Sequence, residues 1–287
     1  MKNKGVFSIC PTPFKPGGEL DLQSLVSLVN FQLEAGIHGL AILGVMGELH
    51  KLSTFERRRV IETVVAGVRG AVPVWVGVRA RGTAAAVEQA RSAEADDEMQ
   101  VSFYRQTVQA IPIPVVIHDF PELFAARISP ALAVRLKEEA GVSILNSEDP
   151  PVGQKITAVR GLSGDALPIL SGLGGMHFLE ELQRGADGVV TGFSFPEILL
   201  KVYALYRQGE QQEAARVFDR YCSLIRYEFQ PLVALALRKY SYMRRGIIAC
   251  DATRDPATAL DHLSRDEFEA VVRRVGLDLS VMGVQTV

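Results

Sequence analysis

Residues 72–78 read VPVWVGV, a run in which no side chain is polar. Strands that are buried on both faces of a parallel sheet have such continuous apolar runs, whereas half-exposed strands alternate apolar and polar residues. The chain contains further short runs that are apolar rather than alternating, at residues 5–10, 38–43, 114–117, 142–145, 167–170 and 188–191. Together these runs predict seven buried parallel strands.

Longer amphipathic stretches separate these runs and predict helices. In residues 21–35, leucine and valine side chains recur along one stripe, and Gly36 follows as a helix stop. Residues 53–56 (STFE) form a capping box, and Ser129 followed by Pro130 is typical of another helix start. Repeated strand–helix units predict a barrel or a doubly wound sheet. Because no GxGxxG motif follows the first strand, the dinucleotide-binding sheet is disfavoured.

The strand signal disappears after Gly192, and the rest of the chain has a helical pattern. The predicted helices lie at residues 197–208, 210–229 and 232–245. A second capping box at residues 264–267 (SRDE) predicts the start of one more helix. We interpret residues 1–208 as a (β/α) barrel and residues 209–287 as a C-terminal helical extension packed on the barrel.

The spacing of the predicted strands contains one anomaly. The runs at 72–78 and 114–117 start 114 − 72 = 42 residues apart, which is too long for one strand–helix unit of this chain and too short for two. Residues 96–100 (DDEMQ) do not have a strand pattern. A barrel of this kind closes with eight strands. We therefore expect the fourth strand region to be missing from the chain or from the sequence as given, with a break in the barrel wall near Asp96 to Met99.

The composition limits the classes of function. The chain has 287 residues, of which 48% are hydrophobic and 22% charged, with a net charge of −2. These values are those of a globular protein and give no basic surface for nucleic acid. Cys10, Cys222 and Cys250 form no CxxC pair, which disfavours a zinc site or a disulfide framework and favours a reducing compartment. No apolar run is long enough for a signal peptide or a membrane span. We expect a cytoplasmic protein that binds neither nucleic acid nor membrane.

Several motifs follow the predicted strands at their carboxyl ends, where a barrel carries its active site. They are PTPF at 11–14, GVMGE at 44–48, LS at 52–53, Gly77, SG at 171–172, GADGVVTG at 185–192 and RDP at 254–256. In this order and spacing, they resemble the dihydrodipicolinate synthase / N-acetylneuraminate lyase family. The resemblance covers residues 5–256 and implies a (β/α)8 TIM barrel.

The resemblance also implies an activity. Members of that family form a Schiff base between a lysine and pyruvate or a related 2-oxo acid, and then make or break a carbon–carbon bond next to the carbonyl group. They use no metal, so we expect no cofactor. Family members commonly assemble as homodimers or homotetramers. The expected partners of this chain are therefore a small 2-oxo acid and further copies of itself.

The catalytic pair of the family is altered in this chain. With the missing strand counted, the lysine place at the end of the sixth strand holds Asn146, and an amide nitrogen cannot form an imine. The tyrosine place at the end of the fifth strand holds His118, and histidine can also shuttle protons near neutral pH. The nearest lysine to Asn146, Lys155, is expected in the following helix. His118 and Asn146 are thus the predicted catalytic positions.

Glycine-rich turns supply the predicted substrate-binding residues, which are Gly44, Val45, Met46, Gly47, Glu48, Gly172 and Gly192. Glycines let backbone amides approach a carboxylate closely. In the family, two hydroxyl residues of the first loop hold the substrate carboxylate, and here they are replaced by Val45 and Met46. We favour Glu48 as a carboxylate that orients this loop. Lys239, on a predicted C-terminal helix, is expected to be solvated.

The sequence leaves three functional hypotheses open. The first is a lyase of the family type, acting by aldol or dehydratase chemistry on a small 2-oxo acid. The second is a non-catalytic barrel that binds a small molecule or serves in assembly, which fold alone does not exclude. The third is a metal-assisted aldolase that uses Glu48, His118, Glu148 or Asp149 as ligands.

Overall fold

Seven parallel strands form one curved sheet. The computed structural model describes residues 3–78, 97–124 and 127–280. The strands are β1 (Gly5–Ile9), β2 (Gly39–Ile42), β3 (Val74–Val76), β4 (Val116–Asp119), β5 (Ile144–Ser147), β6 (Ile169–Ser171) and β7 (Gly188–Thr191). Their order is β3-β2-β1-β7-β6-β5-β4, so β1 pairs with both β2 and β7. This is the order of a parallel barrel opened between β3 and β4.

The seven predicted strands are confirmed, with shifted bounds in the second half of the chain. The predicted runs at 114–117, 142–145 and 167–170 end earlier than β4, β5 and β6 do. The strands continue into polar residues, such as His118 and Asp119 in β4. A search for apolar runs stops at these residues because His118 faces the mouth of the barrel, whereas Asp119, on the outer face, is paired with Lys155.

The sheet is open where the strand spacing is anomalous. Within the described residues, β3 and β4 are the two edge strands and do not pair with each other. Residues 79–96, and with them Asp96 of the predicted break, lie outside the described residues. Residues 97–99 begin a helix rather than a strand. Among the described residues, the prediction of a barrel that lacks its fourth strand is therefore confirmed.

Helices surround the sheet, and the last four of them come after the last strand in the sequence. They are α1 (Leu22–Ala35), α2 (Thr54–Val68), α3 (Asp97–Ala110), α4 (Pro121–Phe124), α5 (Pro130–Glu138), α6 (Val152–Ser163), α7 (Phe178–Gln183), α8 (Pro196–Arg207), α9 (Gln211–Glu228), α10 (Ala234–Arg244) and α11 (His262–Arg274). None of these helices combines the length and the apolar character that a membrane span requires.

The helices α2 and α5 begin at the predicted capping residues, and α1 begins after an N-cap that was not predicted. Asp21 accepts a hydrogen bond from the Ser24 backbone at the start of α1. Ser53 and Glu56 form the full capping box of α2, in which each side chain binds the backbone N–H of the other residue. Ser129 caps α5, whose first residue is proline. Local sequence therefore determines where these helices begin.

The start of the last helix differs from the prediction. The capping box at 264–267 is wrong, because α11 begins at His262 and its N-cap is Asp261, whose carboxylate accepts a hydrogen bond from the Ser264 backbone. Aspartate and serine are about equally good N-caps. An SxxE pattern inside the first turn of a helix therefore looks the same as one that starts it.

The inside of the barrel and the C-terminal helices have separate apolar cores. Phe7, Ile144, Leu170 and Val190 fill the interior and are at most 4% exposed. Trp75 is the single tryptophan, and its ring centroid lies 4.4 Å from that of Phe7. Burying each such side chain contributes about 1.5–3 kcal/mol. A larger cluster joins α8, α9, α10 and α11 to the outer face of β1 and β7.

Glu181 is a buried carboxylate of α7 and makes stability depend on pH. It is 2% exposed, and burial raises its pKa from the ordinary value of 4.5 to about 7. The folded protein holds the Glu181 proton more tightly than the unfolded chain does, so protonation of Glu181 favours the folded state. This contribution to the unfolding free energy is fully present below pH 4.5 and is lost as pH rises to about 7.

Glu181→Gln should therefore stabilise the protein at pH 8, by about 2–3 kcal/mol, and change little at pH 4.5. Urea denaturation at the two pH values measures both effects. The neighbouring Glu180 is exposed, so Glu180→Gln is the matched control and should show no pH-dependent gain. An equal effect of Glu181→Gln at both pH values would contradict the assignment.

Candidate active site

The carboxyl ends of β4 and β5 bring the two predicted catalytic residues together. His118 and Asn146 are directly paired in the register of these strands. Side chains two residues apart in a strand share a face. Val116 and Ile144 face the barrel interior, so His118 and Asn146 face the interior at its mouth.

Glu148 joins His118 and Asn146 in a hydrogen-bonded cluster. Its Oε1 lies 2.9 Å from His118 Nε2 and accepts a hydrogen bond of 3.2 Å from Asn146 Nδ2. Its Oε2 accepts from the Leu173 backbone N–H at 3.3 Å. The Oδ1 atom of Asn146 is buried and has no hydrogen-bond partner among the described residues. The mouth therefore offers a histidine, a carboxylate and an incompletely bonded amide.

This cluster can transfer a proton. A carboxylate next to His118 Nε2 favours the tautomer with the proton on that nitrogen, which leaves Nδ1 as the base. The His118 side chain is 37% exposed, so a ligand in the mouth can reach it. The arrangement of a base held by a carboxylate is common to many sites of general acid–base catalysis.

Two of the predicted substrate-binding glycines make room for charged side chains. A Cβ atom on Gly172 would lie 2.3 Å from Cγ of Glu148, and one on Gly192 would lie 2.5 Å from Nη1 of Arg238. Both distances are far below van der Waals contact. Glycine at these positions therefore lets Glu148 and Arg238 lie against the ends of β6 and β7.

Arg238 is a residue of the mouth that sequence reasoning missed. It lies on α10, is 4% exposed, and has its Nε 3.8 Å from Oε2 of Glu228. Glu228 itself accepts a hydrogen bond from the Ser194 backbone at 2.9 Å. The only local signal is an Arg-Lys pair directly after the apolar residues 231–237, which interrupts an otherwise buried helix face.

The loop after β2 contains Glu48, whose side chain is hydrogen-bonded to residues outside the loop. This side chain is fully buried, and its Oε1 accepts a hydrogen bond of 2.5 Å from Lys239 Nζ. Its Oε2 accepts from Lys51 Nζ at 3.0 Å and from the Arg254 backbone at 3.1 Å. A substrate would have to displace one of these donors to bind Glu48. The geometry fits a carboxylate that orients Gly44, Val45, Met46 and Gly47.

The expectation that Lys239 is solvated is wrong, because this residue is fully buried. Its ammonium group lies between Glu48 and the carbonyl oxygen of Ala252, at 2.8 Å from the latter, and 4.4 Å from the centre of the Phe14 ring. The partner Glu48 is 191 residues away in the sequence. A helical pattern alone does not reveal so distant a counterion.

Lys155 lies in α6, as predicted, but not in the mouth. Its Nζ is bound by Asp119 Oδ2 at 2.5 Å and by Asp149 Oδ2 at 3.0 Å. Asp119 shares the outer face of β4 with Ile117, which packs against the surrounding helices. Burial raises the pKa of Asp119, and the hydrogen bond from Lys155 opposes that rise. Lys155 is therefore a counterion outside the barrel wall.

The residues of the metal hypothesis do not form one site. Glu48 is bound to Lys239 and Lys51, and Asp149 is bound to Lys155. Within residues 3–78, 97–124 and 127–280, no three His, Cys, Asp or Glu side chains are grouped as metal ligands would be.

Comparisons with known proteins agree in family. The sequence model of the Dihydrodipicolinate synthetase family matches residues 2–97 and 96–275, and the two segments meet where the strand spacing is anomalous. The chain is 29% identical to the L-2-keto-3-deoxyarabonate dehydratase of Azospirillum brasilense, over 96% of this chain and 95% of that protein. It is 25% identical to a protein of Escherichia coli named as a probable 2-dehydro-3-deoxy-D-pentonate aldolase, over 96% and 98%.

A solved structure supports the same grouping. The dihydrodipicolinate synthase of Rhodopseudomonas palustris superposes with a TM-score of 0.86 at 34% sequence identity, over 94% of this chain and 97% of that one. The sheet and its surrounding helices are therefore of the same barrel type.

Breaking the buried Glu48–Lys239 pair should destabilise the protein. Lys239→Met leaves Glu48 buried without its nearest cation, although Lys51 remains. We expect unfolding free energy to fall by about 3 kcal/mol, at the low end for breaking a buried pair. Urea denaturation measures this loss, with Lys201→Met on the exposed face of α8 as the control. A midpoint equal to that of the unmodified protein would contradict the role given to the pair.

Proposed function

The chain belongs to the dihydrodipicolinate synthetase family, and we propose that it acts on a small 2-oxo acid at the mouth of β4–β7. This is a family of lyases, and the relatives of the chain are named as synthases, dehydratases and aldolases. The observation that carries this proposal is the contact of His118 and Asn146 with one carboxylate, Glu148. The dehydratase named above aligns over nearly its whole length, so we propose a 2-oxo-3-deoxy sugar acid as the substrate.

An imine with a lysine does not fit this mouth. Lys155 is bound outside the barrel wall, and Lys51 and Lys239 are bound to Glu48. Residues 79–96 contain no lysine. We therefore propose chemistry in which the carbonyl group stays an oxygen.

In this chemistry, a hydrogen bond takes the place of the imine. The second N–H of Asn146 Nδ2 donates to the carbonyl oxygen at C2 and stabilises the enolate that forms when His118 removes the proton from C3. Return of the electron pair expels the hydroxyl group at C4, which takes the proton from His118 and leaves as water. Glu148 keeps the imidazole oriented through Nε2 and stabilises its protonated form.

The first test is proton exchange at C3. We expect the protein to catalyse exchange of the C3 hydrogens of L-2-keto-3-deoxyarabonate or pyruvate in D2O, observed by NMR, while borohydride traps no adduct with either compound. His118→Ala should lower the exchange rate by about 10²–10⁴-fold. The exposed His262 gives the control variant His262→Ala, which should exchange normally. Trapping by the unmodified chain would contradict the mechanism.

The second test restores the amine. Asn146→Lys should be trapped by borohydride with pyruvate, because desolvation at the mouth lowers the pKa of a lysine and leaves free amine to attack a carbonyl. The double variant Asn146→Lys, His118→Ala should still be trapped but should turn over about 10²–10⁴-fold more slowly. If Asn146→Lys traps no 2-oxo acid, the mouth does not bind this class of compound.

A non-catalytic binding barrel is the second candidate. Asn146, Val45 and Met46 favour it, since each replaces a reactive or hydrogen-bonding residue of the resembling family with one that cannot do the same chemistry. Saturable binding of a 2-oxo acid without exchange at C3 would favour this alternative.

We propose that the chain forms a homodimer or a homotetramer, whether or not it is catalytic. Sedimentation equilibrium tests this proposal.

A further inference from the structure

We infer that Arg238 binds the carboxylate of the substrate at the β7 side of the mouth. This inference rests on the proposed 2-oxo acid substrate and names the residue that holds its charged end. The guanidinium lies against Gly192, in the space that any larger side chain there would occupy.

The position of Gly192 places Arg238 inside the barrel. Val189 and Phe193 belong to the outer core beneath the helices, whereas Val190 belongs to the interior core. By the same alternation, Gly192 faces the interior. A guanidinium that fills the Cβ side of Gly192 therefore lies in the mouth and not in the helix layer.

The hydrogen bonds of Arg238 are incomplete. Its Nε is buried and has no hydrogen-bond partner, and the guanidinium donates no hydrogen bond to any residue that the structure describes. Its ion pair with Glu228 is 3.8 Å long. The two carboxylate oxygens of Glu228 already accept hydrogen bonds from the backbone N–H and the hydroxyl group of Ser194. A buried guanidinium normally has its donors satisfied, because leaving them unmade is costly. An incoming anion would satisfy them.

A carboxylate matches this donor set. The guanidinium fork binds the two oxygens of a carboxylate in one plane, and such charge-assisted hydrogen bonds are the stronger kind. On the other side of the mouth, Val45 and Met46 offer no side-chain donor. Among the cations that the structure describes around the mouth, Lys155, Lys51 and Lys239 each hold a carboxylate at 3.0 Å or less. Arg238 has only its 3.8 Å ion pair with Glu228 and is therefore available to an anion.

Calorimetry with a charged and a neutral ligand tests this assignment. Pyruvate and its neutral methyl ester are the two probes, and the quenching of Trp75 fluorescence is a second readout. We expect Arg238→Met to weaken pyruvate binding by about 10–100-fold and to leave binding of methyl pyruvate unchanged. Arg207→Met, on the exposed end of α8, should change neither. Equal weakening of both ligands, or no weakening, would overturn the assignment.

A second variant guards against a folding defect. Glu228→Gln removes the carboxylate nearest to Arg238 while keeping an oxygen for Ser194. It should tighten pyruvate binding several-fold, since it removes a negative charge close to the anion. A misfolded protein cannot show such a gain. Unchanged or weaker binding in this variant counts against the assignment.

The outcomes for Arg238 and for the proposed function are separable. Arg238-dependent pyruvate binding without exchange at C3 would contradict the proposed chemistry alone. Exchange at C3 with pyruvate binding that does not depend on Arg238 would contradict the anchor alone. If the unmodified protein binds neither pyruvate nor its ester, both are wrong.

Discussion

The buried ion pair between Glu48 and Lys239 is the contact on which the arrangement of the mouth depends. It joins the loop after β2 to α10, two parts of the chain that are separated by 191 residues. Lys239 is the neighbour of Arg238 in sequence, and consecutive residues of a helix point in directions about 100° apart. When Lys239 is fixed on Glu48, Arg238 is directed towards Gly192. One electrostatic contact thus sets the loop and the opposite side of the site at once.

The candidate site lies on one wall of an incomplete barrel. His118, Asn146, Glu148, Gly172 and Gly192 all lie on or directly after β4 to β7, which are continuously paired in the sheet. The anomalous interval falls between β3 and β4, and the two segments that match the family meet there. A parallel sheet transmits geometry from each strand to its neighbour through hydrogen bonds. The continuous pairing of β4 to β7 therefore fixes the relative positions of these four strands although the sheet is open.

Much of the fold could be predicted from sequence because its signals are local. Continuous apolar runs gave the strands, and Ser53 and Ser129 marked helix starts through hydrogen bonds within one turn. The family resemblance is confirmed by the match of the family model. The buried state of Lys239 and the presence of Arg238 at the mouth depend on partners far away in the sequence, and a helical pattern does not encode them. The roles of His118 and Asn146 remain predictions.

A charged residue of α10 connects the barrel to its C-terminal helices. Lys239 neutralises a carboxylate beneath the barrel loop, and Glu228 of α9 receives the backbone N–H of Ser194 after β7. A barrel cut after α8 would leave Glu48 without its nearest cation and would open a large apolar surface on α8 to water. The C-terminal helices therefore supply the barrel with a counterion and with the cover of an apolar surface. In evolutionary terms, we expect the barrel and these helices to be inherited together.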